Sequence, residues 1–283
     1  MEKPLALRRL LWQIKKRFIF ARFRFRFWVD LRQPGAEPFR FVCNICGTSC
    51  RVPVSVMSRE RLSCYGCGST IRFRSVANAL AVALEIDQIP LPANPVRKSI
   101  VGIGMTDSDC YARPLEKKFS YRNTYYHKEP KLDILSLDIA EGCADFVICS
   151  DVLEHVAPPV QMAFQNLFRL LRRGGVLVLT VPIVEGAHAR EHFPSLSEYH
   201  FEVRSEGRVL INRTARGEQE EFGDLVFHGG EGETLEMRVF SKEWLLKELT
   251  SAGFSRVRVV DEEYPESGIL WIRDRSVPLI AWK

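Results

Sequence analysis

No uninterrupted apolar run in the 283 residues approaches the ~20 that a membrane-spanning helix needs. Glycine and proline, at 18 and 15, stay near average usage, which excludes collagen-like and low-complexity readings. Charge of one sign is also scarce: 40 Lys and Arg against 35 Asp and Glu leave only +5. No secretory leader is visible, because Arg8, Arg9, Lys15, Lys16 and Arg17 interrupt any apolar stretch near the start. The expected compartment is therefore a reducing cytoplasm. What the chain does have is 46% hydrophobic and 27% charged residues, enough to bury a core and too apolar for a disordered chain. Its charge is also uneven. Residues 1–40 hold 11 Lys/Arg and 3 Asp/Glu, or +8, and the remaining 243 carry −3.

The eight cysteines are not spread as in a secreted disulfide scaffold. Five fall within 25 residues, and Cys110, Cys143 and Cys149 lie in segments that read as core. Cys43-Asn-Ile-Cys46-Gly and Cys64-Tyr-Gly-Cys67-Gly are separated by seventeen residues, a four-thiolate zinc spacing. Each C-x-x-C aims two sulfurs at one ion, and Gly47 and Gly68 let each knuckle turn tightly. Four sulfurs close the tetrahedron and leave no position for a catalytic water, so the expected metal is structural. Cys50 is not expected to be a ligand. A redox role is disfavoured, because neither pair opens a helix after a strand. The expectation is a zinc ribbon over 41–70, with ligands Cys43, Cys46, Cys64 and Cys67.

Before it, residues 1–31 interleave Arg and Lys with Leu10, Leu11, Trp12, Ile14, Phe18, Phe20 and the run Arg22-Phe-Arg-Phe-Arg-Phe-Trp28. The first half has helical spacing, and a helix can continue through the second. Such a basic aromatic arm can lie on anionic lipid or contact a phosphate backbone, or simply pack on the body with its cations solvated. Gln33-Pro-Gly-Ala-Glu-Pro38 then reads as a linker. The expected division is arm and linker 1–40, ribbon 41–70, and one α/β domain 71–283.

Within that domain the pattern alternates. It predicts a helix over Val76–Ile86, strands at Ser99–Ile103, Tyr121–Tyr126, Asp145–Cys149 and Val176–Val181, and helices at Asp109–Lys118 and Val160–Arg173. The latter helix is expected to stop at Arg-Arg-Gly-Gly175. Residues 185–239 are polar, with a possible hairpin at 201–203 and 208–212. A helix capped by Ser241 and strands at Phe254–Asp261 and Gly268–Trp271 complete the chain. Strands alternating with helices indicate a parallel α/β sheet.

Ala144-Asp-Phe-Val-Ile-Cys-Ser-Asp151-Val-Leu-Glu154-His155-Val, a following helix, and Val-Leu-Val-Leu-Thr-Val-Pro182 resemble the fourth and fifth strands of class I S-adenosylmethionine-dependent methyltransferases. The resemblance covers roughly 97–283 and is densest over 133–182. It implies a Rossmann-like, seven-stranded sheet, S-adenosylmethionine as cofactor, and a site beyond the strand ends, where open parallel sheets bind ligands. By resemblance, Gly102 and Gly104 in Ile100-Val-Gly-Ile-Gly-Met-Thr-Asp107 border the cofactor's amino-acid portion. The family's usual acid is replaced by Gly102, and Thr106 and Ser108 stand where glycines are usual; Asp107 would reach the ammonium. The second strand lacks the usual ribose acid, so Glu129 serves from downstream, or Tyr125 or His127 lines the sugar. Asp133 would meet the adenine amine, and Ser150 and Asp151 close the pocket.

For catalysis, methyl transfer needs in-line positioning, and a base only when the acceptor holds a proton. His155 is placed to face the methyl group, with loop scaffolding as its alternative role. His228 lies in a Gly-rich stretch that reads as a lid or acceptor wall. His188, His192 and His200 read as surface loop residues. No Asp/Asn-Pro-Pro-Tyr/Phe follows the fourth strand, and no cysteine pair suits pyrimidine-carbon methylation. The expected acceptor is a small molecule or saccharide. The alternatives are an RNA methyltransferase touching RNA through its ribbon, which the −3 body disfavours, and an inactive zinc-containing adaptor. Membrane-surface or nucleic-acid contact would run through residues 1–32, making the protein cytoplasmic or peripheral at a membrane.

Overall fold

Strand-forming β-branched residues dominate Phe146–Ile148 and Val176–Val178, and both runs are almost wholly buried, as expected of central strands covered on two faces. The computed structural model describes residues 19–228, 234–271 and 276–283. The first half of the basic arm therefore lies outside the described residues, as do Gly229, Gly230 and Gly232 of the Gly-rich stretch. Residues 19–30 form helix α1. Next come the hairpin β1 (Pro38–Val42) and β2 (Ser49–Pro53), helix α2 (Ile71–Ala83), strand β3 (Arg97–Met105), helix α3 (Asp109–Lys118) and strand β4 (Phe119–Thr124). After β5 (Ala144–Ser150), a short 3-10 turn at Leu153–His155 precedes helix α4 (Gln161–Leu170) and β6 (Leu171–Thr180).

The insertion is built mostly of strands. These are β7 (Ile183–Val184), β8 (Arg190–Glu191), β9 (Glu198–Arg204), β10 (Gly207–Arg213), β11 (Gln219–Phe222), β12 (Phe227–His228), β13 (Thr234–Leu235) and β14 (Arg238–Ser241). Helix α5 (Lys242–Ser251), β15 (Arg256–Val259) and β16 (Leu279–Trp282) follow. The main sheet has six strands among the described residues, ordered β15-β16-β6-β5-β3-β4. It is mixed: β3, β5 and β6 run parallel, while β16 is antiparallel to β6. The expected form has seven.

Three expectations are corrected. Helix α2 starts at Ile71, five residues early, because the Thr70 hydroxyl accepts from the Phe73 amide as an N-cap. Arg172-Arg173-Gly174-Gly175 is not a helix stop but the irregular opening of β6, where the pairing with β5 shifts register. Gly174 has φ 76°, and a Cβ on Gly175 would meet the carbonyl oxygens of Arg172, Ala144 and Asp145 at 2.9–3.1 Å, so a β-bulge explains both glycines. Gly268–Trp271 is not a strand; Tyr264 and Ile269 make only an isolated bridge, and the closing strand is β16.

The chain divides into two compact units. The first comprises the described residues of Met1–Val101, Asp107–Arg122 and Val259–Pro278. Within it Arg74 is fully buried and cross-links the segment, donating to Ser69 Oγ, Ser63 Oγ and the Gly268 carbonyl. The second comprises Gly102–Thr106, Asn123–Arg258 and Leu279–Lys283. Its insertion has a small core of its own, Phe193, Leu210, Leu235 and Met237.

Candidate cofactor and acceptor site

Parallel pairing of Gly102–Gly104 with Phe146–Ile148 brings the carboxyl ends of β3 and β5 to the same end of the sheet. Each strand leaves through a left-handed residue that is not glycine, Thr106 at φ 58° and Asp151 at φ 51°. Such backbone costs ~1–3 kcal/mol per residue and persists only where neighbours hold it. Here they do. The Thr106 amide donates to the Thr124 carbonyl at 2.7 Å, and Thr124 Oγ1 donates to the Gly104 carbonyl at 2.7 Å. The Asp151 amide donates to the Thr180 carbonyl at 2.9 Å, and Thr180 Oγ1 donates to Asp151 Oδ1 at 2.8 Å. Ser150 Oγ lies 2.9 Å from the same Thr180 hydroxyl. Thr180 went unread in the sequence; its signal is a lone hydroxyl ending the apolar run of β6.

Gly102 packs: a Cβ there would stand 2.1 Å from Phe146 Cζ. Gly102→Ala is therefore expected to lower stability by ~1–3 kcal/mol in denaturant unfolding, as an overpacked core does, and Phe146→Leu in the same chain should recover part of it. Gly104 is buried at the strand end. Asp133 is half-buried, and its Oδ1 accepts from the Leu135 amide at 2.9 Å. Glu129 and His127 are exposed, and Glu129 Oε2 accepts from the Lys131 amide. Tyr125, half-buried just beyond β4, has its hydroxyl 3.3 Å from Asn123 Nδ2.

Asp107 falls in the first unit, buried, with one carboxylate oxygen accepting from the Tyr111 hydroxyl at 2.6 Å and the other from the Tyr121 hydroxyl. Burial raises its pKa to about 7, despite these two bonds. The folded chain thus holds a proton that the unfolded chain releases near pH 4. Stability is expected to fall as pH rises from about 4 to about 7, and to level off outside that window. Asp107→Asn should flatten this slope in thermal melts across pH 4–8.

After Asp151, the turn carrying Glu154 and His155 meets strands of the insertion. The two rings His155 and His228 lie edge to face, centroids 4.8 Å apart. His155 Nδ1 donates to the Leu235 carbonyl at 2.8 Å, which leaves the lone pair on Nε2, 3.8 Å from Oε1 of the fully buried Glu154. Burial holds the His155 pKa below the ordinary imidazole value. Glu236 bridges two rings, with His228 Nε2 at 3.1 Å and His192 Nε2 at 2.9 Å. His188 and His200 are exposed, as read from sequence, but His192 is a half-buried member of this cluster. The reading missed it because its partner, Glu236, is 44 residues away. Arg238, also unread, is fully buried; it donates to the Leu153 and Val156 carbonyls and to Glu191, fixing the turn from below.

The four knuckle cysteines converge in the first unit. Cys43 Sγ lies 3.8 Å from Cys67 Sγ and Cys46 Sγ 3.6 Å from Cys64 Sγ, with all four within 4.8 Å of one another. A tetrahedral zinc with ~2.3 Å bonds separates its sulfurs by ~3.8 Å, so the spacing fits such an ion. Gly47 and Gly68 turn at φ 76° and 81°, and each amide closes back on the first cysteine of its pair. Cys50 is not in the set.

A methyltransferase-domain family model matches residues 122–179, from the end of β4 through β6. With the sheet order, it supports a methyltransferase enzyme of α/β fold. Among solved structures, the chain is similar to the 1,6-didemethyltoxoflavin-N1-methyltransferase of Burkholderia thailandensis, at 14% identity and TM-score 0.42 over 75% of this chain and 77% of that one. It is also similar to an amino pentose methyltransferase from Micromonospora echinaspora, at 13% identity and TM-score 0.42 over 76% and 93%. No curated protein matches the chain in sequence.

Proposed function

We propose that the protein transfers a methyl group from S-adenosylmethionine to a small-molecule or saccharide-type acceptor. The observation that carries this reading is the pair of left-handed exits, Thr106 and Asp151, at one end of two adjoining parallel strands, the second of which lies within the family-matched residues 122–179. Bound there, the cofactor supplies an electrophilic methyl on a sulfonium. Of the chain's residues, Gly104 and the backbone up to Thr106 would border its amino-acid portion, Asp133 would accept from the adenine amine, and Ser150 and Asp151 would flank the nucleoside. In this reading Gly102 shapes the strand through Phe146 and Glu129 remains the acid assigned to the ribose, while Asp107, with both carboxylate oxygens engaged by Tyr111 and Tyr121, is left out of the site. His155 and His228 form the acceptor wall, where they orient the acceptor and handle its proton.

Calorimetry with S-adenosylhomocysteine tests the cofactor site, with binding expected and its absence overturning the reading. Mass spectrometry of cell extract incubated with labelled S-adenosylmethionine then seeks the methylated acceptor. Once that is in hand, His155→Gln is expected to lower kcat by ~10²–10³-fold, as loss of a proton-handling group does, and to leave S-adenosylhomocysteine affinity unchanged.

Two further assignments belong to this reading. Cys43, Cys46, Cys64 and Cys67 hold one structural zinc, supported by their sulfur spacing. The arm contacts a membrane surface of a cytoplasmic protein, supported by the exposed Phe25 and Trp28 stacked on α1 beside Arg24 and Arg32.

A further inference from the structure

The acceptor wall holds more ligating groups than a proton relay requires. Glu154, His155 and His228 present one donor atom each, and the three lie within 4.8 Å of one another. We propose that these three side chains bind a divalent transition-metal cation, separate from the metal of the four cysteines.

Two features of the rings support this. A metal-binding imidazole commits one nitrogen to an outer acceptor and keeps a lone pair on the other. His155 does so through Nδ1 to the Leu235 carbonyl, and His228 through Nε2 to Glu236. Glu236 is itself fixed by His192 at 2.9 Å, so this outer carboxylate is oriented in turn. The turn that carries Glu154 and His155 is pinned twice, by Arg238 on the Leu153 carbonyl at 2.7 Å and by the Met237 amide on the Glu154 carbonyl at 2.7 Å. Two ligands of this cluster are thus rigid. The third sits on β12, whose pairing with β13 is two residues long.

The donor set decides the ion. Two imidazole nitrogens and one carboxylate favour zinc, iron(II), cobalt(II) or nickel(II) over magnesium or calcium, which prefer all-oxygen shells. Metal–nitrogen bonds of ~2.0–2.1 Å separate tetrahedral ligands by ~3.4 Å, so binding draws together donors that already lie within 4.8 Å of one another. Glu154 is fully buried and His155 is 14% exposed, whereas His228 is 39% exposed. Open coordination positions therefore face the solvent side, where water or an acceptor oxygen can enter. An ion bound there takes the rings' remaining lone pairs, so acidifying the acceptor's hydroxyl passes from the imidazoles to the metal; that an acceptor enters there rests on the methyl-transfer reading, and the cation site itself does not.

The test is cobalt(II) titration of the full-length chain, followed by visible absorption and elemental analysis. Cobalt at the cysteines shows an intense sulfur-to-metal band, and cobalt at the histidines shows only weak d–d bands. The expected result is one equivalent lacking the sulfur band, weakened at least 10-fold in both His228→Asn and His155→Gln, with the thiolate-bound metal unchanged. His228 is partly exposed, so its variant should fold even if the other does not. Absence of that equivalent, or equal affinity in His228→Asn, overturns the site. Calorimetry with S-adenosylhomocysteine on the same preparation separates the two proposals: cobalt without cofactor binding would sink methyl transfer alone, and cofactor without cobalt would sink the cation site alone.

Discussion

A chain carrying Cys64→Ser is expected to purify without zinc and to lose the fold of its ribbon. Cys64 Sγ and Cys46 Sγ lie 3.6 Å apart, and both thiols are needed to close the tetrahedron. Structural zinc supplies ~10–16 kcal/mol of apparent binding energy to such modules, far more than the few buried apolar side chains between β1 and α2 can. Arg74 makes the dependence sharper. Its guanidinium is fully buried, and among the described residues its bonds go to Ser63, Ser69 and Gly268, none to a carboxylate. Ser69 Oγ, 3.3 Å from Cys43 Sγ and 3.2 Å from Arg74 Nη1, stands between that cation and the sulfurs. A zinc ion with four thiolates carries a net double negative charge, which offsets the buried guanidinium. Removing one thiolate weakens the ion and leaves the arginine poorly compensated. Elemental analysis should read no zinc in the variant, and limited proteolysis should cut within 41–70. A wild-type chain that is metal-free yet fully folded would end this account.

The cysteine geometry was legible because its information is local: two knuckles of four residues, each closed by its own glycine. Strand β6 was half legible. Its apolar run announced a buried strand, but Arg172-Arg173-Gly174-Gly175 carries the same letters as a helix stop, and only the register shift against β5 distinguishes a bulge. The last strand was misplaced for a related reason. Leu279–Trp282 is four residues long, and its pairing with Val176–Leu179 spans a hundred residues of sequence, so no local period marks it.

The site divides in the same way. Asp151 and His155 lie four residues apart and both were read as site residues, whereas Glu154 between them was not. His192, Glu236 and Arg238 reach the Leu153–His155 turn through β8, β13 and β14, so their polar side chains look like surface residues until the pairing of Arg238–Val239 with Arg190–Glu191 is known. Thr106 shows the converse case. The sequence departs from glycine there, and the structure still demands a left-handed residue, with the bond to Thr124 holding it in place.

Arg238→Leu is expected to be the most damaging substitution in the second unit. The guanidinium is 0% exposed, pairs with Glu191 Oε1 at 2.7 Å, and donates to the Leu153 and Val156 carbonyls. Leucine restores much of the apolar volume but none of these bonds. The buried Leu153 carbonyl and the part-buried Val156 carbonyl lose a charged donor, and Glu191 loses its partner. Breaking such a pair from one side costs ~3–5 kcal/mol, which for a chain of this size lowers Tm by roughly 6–20 °C. The same change frees the turn that carries Glu154 and His155, so the damage should extend from stability to chemistry. Arg238→Lys keeps the charge but not the fork of donors, and should recover stability only in part. Thermal melts of both variants, read beside cobalt affinity at the histidine cluster, test the coupling. If Arg238→Leu melted with the parent chain, or lost stability while holding cobalt as tightly, then the arginine would not be what fixes the turn.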